Sequence, residues 1–160
     1  MPEQTVEPVR KSVTVDVPPE RAFSLFAEEL GRWWPTPYTY AGDKFETAAI
    51  EPRTGGRWFE RAQNGAETSW GEVRAYEPPR RLVLSFAISP ARAPEPPEKA
   101  SEVEIQFDAQ GSSSTRVALE HRDFARHGTG AATLRNGMAS PQGWPLILAA
   151  YARAARDRAN

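Results

Sequence analysis

The sequence contains no cysteine and only two histidines. The lack of cysteine excludes a disulfide scaffold, a thiolate zinc site and a cysteine nucleophile. Two histidines are too few for a typical histidine-rich metal centre, so we expect no metal site. No apolar run approaches the roughly 20 residues that a membrane span needs, and residues 1–10 show no secretory signal. We therefore expect a cytoplasmic protein that does not contact a membrane.

Neither sign of charge dominates, because 20 basic and 21 acidic residues give a net charge of −1. Nucleic-acid binding needs a concentrated basic face, so this balance argues against it. The length of 160 residues suits one domain with a real core. We assign residues 1–8 to a flexible tail and residues 9–158 to a single domain. Proline and tryptophan, by contrast, are plentiful, at 15 and 5 residues.

Periodicity predicts the order of strands and helices. Alternating valines predict a first strand up to Val17, and helical spacing then predicts a short helix that ends by Gly31. Prolines place the aromatic residues that follow on a second short helix or a loop. An apolar stripe predicts a last helix over residues 144–158. Antiparallel strands are predicted between them, over residues 44–51, 57–61, 70–76, 81–88, 102–108 and 115–122.

This order predicts an α+β protein. A curved antiparallel sheet of about six or seven strands wraps around a long C-terminal helix, and two short helices follow the first strand. A sheet with one apolar face must cover it, and the last helix is the only long element available. A space remains between sheet and helix, and the size of the side chains decides whether it is filled.

Seven short motifs carry a family resemblance: Trp33-Trp34-Pro35, Gly55-Gly56, Trp70-Gly71-Glu72-Val73, Glu77-Pro78-Pro79-Arg80-Arg81-Leu82, Ser101-Glu102-Val103, Leu119-Glu120-His121 and Gly143-Trp144. Together they resemble the SRPBCC superfamily, and within it the heat-shock-protein-90 ATPase activator homologue family of bacterial proteins. The resemblance implies a helix-grip fold, as in START and birch-pollen-allergen-like proteins, with a cavity between sheet and helix. Members include small-molecule binders, a self-sacrificing resistance protein, cyclase relatives and co-chaperone domains, so chemistry must be argued from the site.

The aromatic residues favour a ligand-binding cavity between the sheet and the last helix. Pockets are lined largely by aromatic groups, but cores are too, so the cluster around Trp34 is either a cavity wall or a plug that seals the sheet end. The predicted cavity residues are Trp33, Trp34, Tyr38, Tyr40, Phe45, Trp58, Glu60, Trp70, Phe86, Phe107, Leu119, His121, Trp144, Ile147 and Tyr151.

The orientation of two acidic side chains stays open. Glu60 lies two residues after Trp58, and Glu72 lies two residues after Trp70, so each pair shares a strand face. On a concave face either carboxylate would act as an acid or base, or fix a polar ligand group. On a convex face both would be solvated. We favour the solvated interpretation, because Val73 alternates with Glu72 and belongs in the core.

The two histidines differ in their predicted environments. His121 continues the apolar face of Val117 and Leu119, so it points toward the cavity end of its strand. There it serves ligand binding or proton transfer, or it is a hydrogen-bonded rim residue. His127 lies beside glycines and is expected to be exposed. No acid–histidine–hydroxyl spacing rises above chance, so no catalytic residue is assigned.

The sequence thus predicts a protein that binds a small hydrophobic or aromatic molecule, without a cofactor, as a monomer or homodimer. One alternative is a cyclase-like or hydratase-like enzyme that uses polar cavity residues. The other is a co-chaperone-like module that binds another protein. Binding is preferred over catalysis, because the sequence contains no recognisable catalytic motif.

Overall fold

A computed structural model describes residues 6–159, with side chains up to residue 157. Of the predicted tail, residues 1–5 lie outside the described residues. One sheet of seven antiparallel strands has the order β1-β7-β6-β5-β4-β3-β2. The strands are β1 (Val9–Val15), β2 (Phe45–Ile50), β3 (Arg57–Ala62), β4 (Glu67–Glu77), β5 (Arg81–Phe86), β6 (Ser101–Ala109) and β7 (Thr115–Arg122).

The sequence predicts the two short helices after β1 and the last helix, and the structure adds a short helix between β7 and the last one. Two short helices follow β1, namely α1 (Pro19–Glu28) and α2 (Leu30–Trp33), and two others follow β7, namely α3 (Ala131–Ala139) and α4 (Trp144–Ala159). Pro19 begins α1, where its missing N–H leaves no hydrogen bond unmade. The predicted helix-grip fold is confirmed. Within residues 6–159, no helix is long and apolar enough to cross a membrane.

A bulge between β3 and β4 decides which side chains of β4 point inward. Trp58 pairs with Gly71, but Phe59 pairs with Ser69, so Trp70 is an extra residue on β4. Such a bulge breaks the simple alternation of inward and outward side chains. As a result, Trp70 is buried, whereas Glu72 lies on the partly exposed outer side.

Rings from the helices meet rings from the sheet in one core. Phe26 of α1 packs edge-on against Phe107 of β6, with ring centroids 6.0 Å apart. It also packs against Tyr151 of α4 at 5.3 Å. The Tyr151 hydroxyl donates a hydrogen bond to the carbonyl of Ala22, which ties α4 to α1. The sheet, the short helices and α4 therefore share one interior.

Candidate functional site

Four tryptophans from four different elements converge in this interior, and we call them the tryptophan cluster. Trp34 follows α2, Trp58 lies on β3, Trp70 on β4, and Trp144 begins α4. The centroid of the Trp34 ring lies 4.9 Å from that of Trp70 and 6.2 Å from those of Trp58 and Trp144. Trp34 is therefore the central ring, and it touches both the sheet and the last helix.

Each indole N–H of the tryptophan cluster donates a hydrogen bond, which fixes the orientation of the ring. Two acceptors are backbone carbonyls and two are side chains. The pairs are Trp34 Nε1 with Tyr38 O at 3.2 Å, Trp58 Nε1 with Ser85 O at 2.7 Å, Trp70 Nε1 with Glu60 Oε1 at 2.8 Å, and Trp144 Nε1 with His121 Nδ1 at 2.9 Å.

All fifteen predicted cavity residues lie in or against the same core. Tyr38, Tyr40 and Phe45 are half-buried at its edge, and the other apolar members are buried. Glu60 and His121 reach it through their hydrogen bonds to the tryptophan cluster. Rings from the two sides meet across the space between sheet and α4.

Glu60 is a buried carboxylate with its hydrogen bonds satisfied. It is only 1% exposed. Its Oε1 accepts from the backbone N–H of Tyr40 at 2.6 Å and from the indole of Trp70, and its Oε2 accepts from the N–H of Ala41 at 2.8 Å. The solvated interpretation was therefore wrong for Glu60. The burial of Glu60 has a long-range cause, because the segment before β2 folds over the carboxylate. No local sequence pattern shows this.

Glu72 behaves as the solvated interpretation expects. Its side chain is 38% exposed and forms an ion pair with Arg74 at 3.2 Å. The bulge at Trp70 separates the two glutamates, because it directs Trp70 inward and leaves Glu72 outside. The two Trp–Glu pairs, which look equivalent in the sequence, therefore lie in different environments.

A buried chain of hydrogen bonds extends from the tryptophan cluster, and we call it the histidine chain. It runs from Trp144 through His121, Ser101 and His127 to Glu95. Ser101 Oγ lies 2.7 Å from Nε2 of both histidines, and Nδ1 of His127 lies 2.5 Å from Glu95 Oε2. The indole of Trp144 only donates, so Nδ1 of His121 must accept.

The hydrogen bond from Trp144 to His121 determines which atoms donate and which accept in the rest of the histidine chain. Neutral His121 carries its proton on Nε2 and donates it to Ser101 Oγ. The hydroxyl of Ser101 then donates to Nε2 of His127, which places the second histidine's proton on Nδ1, facing the Glu95 carboxylate. Every donor in the histidine chain thus has an acceptor. Ser101, His127 and Glu95 form a hydroxyl–imidazole–carboxylate arrangement.

No pattern in the sequence predicts this arrangement. His127 is 3% exposed, so the expectation that it is exposed was wrong. Asp123 adopts a left-handed conformation with φ of 65°, and the 3-10 turn Phe124–His127 follows directly and ends on the buried His127. The three groups come from a proline-rich loop, the start of β6 and this turn. No local spacing therefore joins them in the sequence.

The histidine chain predicts a pH-dependent stability. Burial, and secondarily the neighbouring His127, hold the pKa of His121 well below its ordinary value near 6.5. Between these two pKa values the unfolded chain binds a proton that the folded protein excludes, so stability falls as the pH drops below about 6.5. The slope from one such group is at most about 1.4 kcal/mol per pH unit.

Urea unfolding of the wild type and of His121→Gln between pH 7.5 and 5.5 tests this prediction. Glutamine retains a donor and an acceptor but does not titrate in this range. We expect the free energy of unfolding of the variant to change less with pH. Equal slopes in the two proteins would show that another group causes the dependence.

The Tyr40 hydroxyl is buried and has no hydrogen-bond partner among the described residues. Burial, together with the nearby negative charges of Glu60 and Glu95, raises the pKa of Tyr40 to about 12. The hydroxyl therefore stays protonated at neutral pH. It lies in the electrostatic field of two carboxylates, one of which contacts the tryptophan cluster while the other ends the histidine chain.

In the part of the chain that the structure describes, neither a metal centre nor the groove on the outer face of the sheet forms part of this site. Within residues 6–159, no group of three histidine, aspartate or glutamate side chains is placed to hold a metal ion. A groove of about 510 Å³ crosses the outer face of β1, β7 and β6 and is lined mainly by polar and charged residues. This groove faces away from the tryptophan cluster.

Comparisons with known proteins agree with the fold. The family model described as Activator of Hsp90 ATPase homolog 1-like protein matches residues 16–152. The anthrahydroquino-gamma-pyrone synthase Txn09, solved as a complex with SUM, is 34% identical; the match covers 96% of this chain and 99% of that chain, with a TM-score of 0.66. The self-sacrificing resistance protein CalC from Micromonospora echinospora is 33% identical over 94% of this chain and 95% of that chain, with a TM-score of 0.67.

A more distant likeness shows the fold alone. Protein MLL2253 from Mesorhizobium loti is 19% identical over 96% of this chain and 99% of that chain, with a TM-score of 0.68. No curated protein sequence matches this chain.

Proposed function

Because this chain belongs to the family of Activator of Hsp90 ATPase homolog 1-like proteins, we propose that it binds a small, flat aromatic molecule between the sheet and α4. The observation that carries the proposal is the tryptophan cluster. Three indoles surround the central ring of Trp34, and all four have fixed orientations and offer flat apolar faces on which an aromatic molecule can stack.

Two relatives above 30% identity, Txn09 and CalC, support this choice of ligand. Txn09 is named a synthase of an anthrahydroquino-gamma-pyrone, which is by its name a fused-ring compound, and its structure contains a bound molecule. CalC is named a self-sacrificing resistance protein. Both match nearly the whole of this chain, so the proposal concerns the same domain.

The ligand enters beside Trp34 in our proposal. The rings of the tryptophan cluster touch one another in this structure, so a ligand can bind among them only if one ring moves. Trp34 precedes a segment whose only helices are two 3-10 turns of three residues each, Thr36–Tyr38 and Gly42–Lys44. The other three indoles sit on strands or on α4. A ligand that buries a few hundred Å² gains on the order of 25 cal/mol per Å² before the costs of ordering and of moving Trp34.

A second candidate function is catalysis of a cyclase-like reaction. The observation that favours it is the histidine chain, which reaches the tryptophan cluster at the bond between His121 and Trp144. A hydroxyl, two imidazoles and a carboxylate in series can transfer a proton to or from a bound molecule. A Ser101→Ala variant separates the two functions, because it would retain binding but lose turnover of a substrate.

The co-chaperone-like alternative receives less support from the surface. Among residues 6–157, Leu146 is the one large hydrophobic side chain that is exposed. Protein docking surfaces commonly present a contiguous apolar patch. Binding of a small molecule inside the domain remains the function that the geometry supports best.

Equilibrium dialysis with 2-ethylnaphthalene, a flat apolar probe, tests the proposed binding. We expect saturable binding at one site, and a Kd about fivefold to tenfold weaker in Trp34→Phe, because the smaller ring loses stacking area. Phe23→Leu is the control. It removes a core ring that packs on Tyr76 and Phe107 instead of the tryptophan cluster.

Both variants are expected to lose about 1–2 kcal/mol of stability. Only Trp34→Phe should lose affinity. No saturable binding by the wild type would reject the proposed function, and an equal loss of affinity in both variants would reject the assignment of Trp34.

A further inference from the structure

The Tyr40 hydroxyl is the one buried side-chain polar atom without a partner that the described residues contain. Buried polar groups are nearly always hydrogen-bonded, so each exception requires a reason. Two other tyrosines of the same core have hydrogen-bond partners. Tyr38 Oη donates to the carbonyl of Gln142 at 2.6 Å, and Tyr151 Oη donates to the carbonyl of Ala22 at 2.7 Å. Tyr40 therefore holds an unused donor inside the domain.

This unused donor lies within the electrostatic influence of Glu60, a carboxylate that also contacts the proposed ligand site. The backbone N–H of Tyr40 binds Glu60 Oε1, and the same oxygen accepts from the indole of Trp70. One carboxylate thus links Tyr40 to the tryptophan cluster. The negative charge of Glu95, the last member of the histidine chain, also acts on the hydroxyl.

The neighbouring charges determine what the hydroxyl can bind. Three N–H groups already occupy the Glu60 carboxylate, and His127 occupies an oxygen of Glu95. A negatively charged ligand group would be repelled by both carboxylates. Because Tyr40 remains protonated, its hydroxyl can donate a hydrogen bond. The ligand group that suits this donor is a neutral acceptor oxygen.

We propose that the Tyr40 hydroxyl donates a hydrogen bond to a carbonyl oxygen of the bound aromatic molecule, which makes neutral aryl ketones and quinones the preferred ligands. This inference rests on the proposed binding function and specifies its ligand class. Tyr40 is then the residue that determines specificity, whereas the indoles supply stacking that every flat aromatic molecule shares.

Three naphthalenes of nearly equal shape test the inference. 2-Acetylnaphthalene carries a neutral carbonyl, 2-ethylnaphthalene replaces that carbonyl by a methylene, and 2-naphthoate carries an anionic carboxylate. Equilibrium dialysis measures the Kd of each for the wild type, for Tyr40→Phe and for the control Tyr76→Phe. Tyr76 is a half-buried tyrosine that packs on Phe23 outside the site.

The wild type is expected to bind the ketone about fivefold to tenfold more tightly than the hydrocarbon, which corresponds to one net hydrogen bond. Naphthoate should bind most weakly. Tyr40→Phe should bind the ketone and the hydrocarbon with equal affinity, and Tyr76→Phe should retain the preference. Because the Tyr40 hydroxyl has no partner, we expect Tyr40→Phe to fold with undiminished stability.

The outcomes separate the two proposals. If the wild type binds the hydrocarbon but shows no preference for the ketone, the role of Tyr40 is overturned and the binding function stands. A ketone preference that persists in Tyr40→Phe also overturns it. If the wild type binds none of the three probes, the proposed function fails, and the ligand class fails with it.

Discussion

Replacement of Glu60 by alanine is expected to lower the free energy of unfolding by about 3 kcal/mol or more. The carboxylate is the acceptor for the backbone N–H groups of Tyr40 and Ala41 and for the indole of Trp70. The variant would leave these three donors without an acceptor in the interior. Each buried unsatisfied donor costs about 1–3 kcal/mol.

Glu60→Gln is expected to cost less than Glu60→Ala. The amide retains one oxygen, but its NH₂ group faces an N–H that needs an acceptor. Urea unfolding measures both changes. Glu72→Ala and Glu72→Gln are the matched controls, because Glu72 is partly exposed and its ion pair with Arg74 lies at the surface. We expect both controls to stay within about 0.5 kcal/mol of the wild type. Equal effects at the two glutamates would contradict the buried role of Glu60.

Replacement of Gly71 by alanine should prevent folding or cost more than about 4 kcal/mol. Gly71 has φ of 151°, and a Cβ atom there would lie 1.9 Å from the carbonyl oxygen of Ser85 and 2.5 Å from Nε1 of Trp58. The first contact is with backbone, which cannot rotate away. The Trp58 indole donates its hydrogen bond to that same carbonyl. The variant would therefore disturb the tryptophan cluster as well as the bulge.

Gly137→Ala is the matched control for this change. Gly137 lies in α3, and a Cβ atom there meets nothing within 4 Å. Alanine is favoured over glycine in a helix, so the control should gain about 0.5–1 kcal/mol. Circular dichroism and thermal unfolding compare the two variants. A Gly71→Ala protein as stable as the wild type would contradict the register of β3 and β4.

The hairpin of β6 and β7 shows what could be predicted from the sequence. Strict alternation marks both strands, and the structure pairs Val103 with His121, Ile105 with Leu119, and Phe107 with Val117. Alternation is reliable here because one face is buried along the whole hairpin. The family resemblance, which rests on motifs spread along the chain, is also confirmed, because the family model matches residues 16–152.

Glu60 and His127 show what could not be predicted. The environment of Glu60 depends on the N–H groups of Tyr40 and Ala41, about twenty positions earlier in the chain. His127 becomes buried through Glu95 and Ser101, which lie 32 and 26 positions away. Periodicity reports the face of an element, but it contains no information about which loop folds over that face.

The central claim is that an aromatic ligand lies among the tryptophans between the sheet and α4. The indole N–H signals in a ¹H–¹⁵N NMR spectrum test it most directly, because each indole donates to a different acceptor. On addition of 2-acetylnaphthalene, the signals of Trp34, Trp58, Trp70 and Trp144 should shift most and saturate together. Unchanged indole signals, with shifts confined to the outer groove around Arg10 and Arg116, would contradict the account.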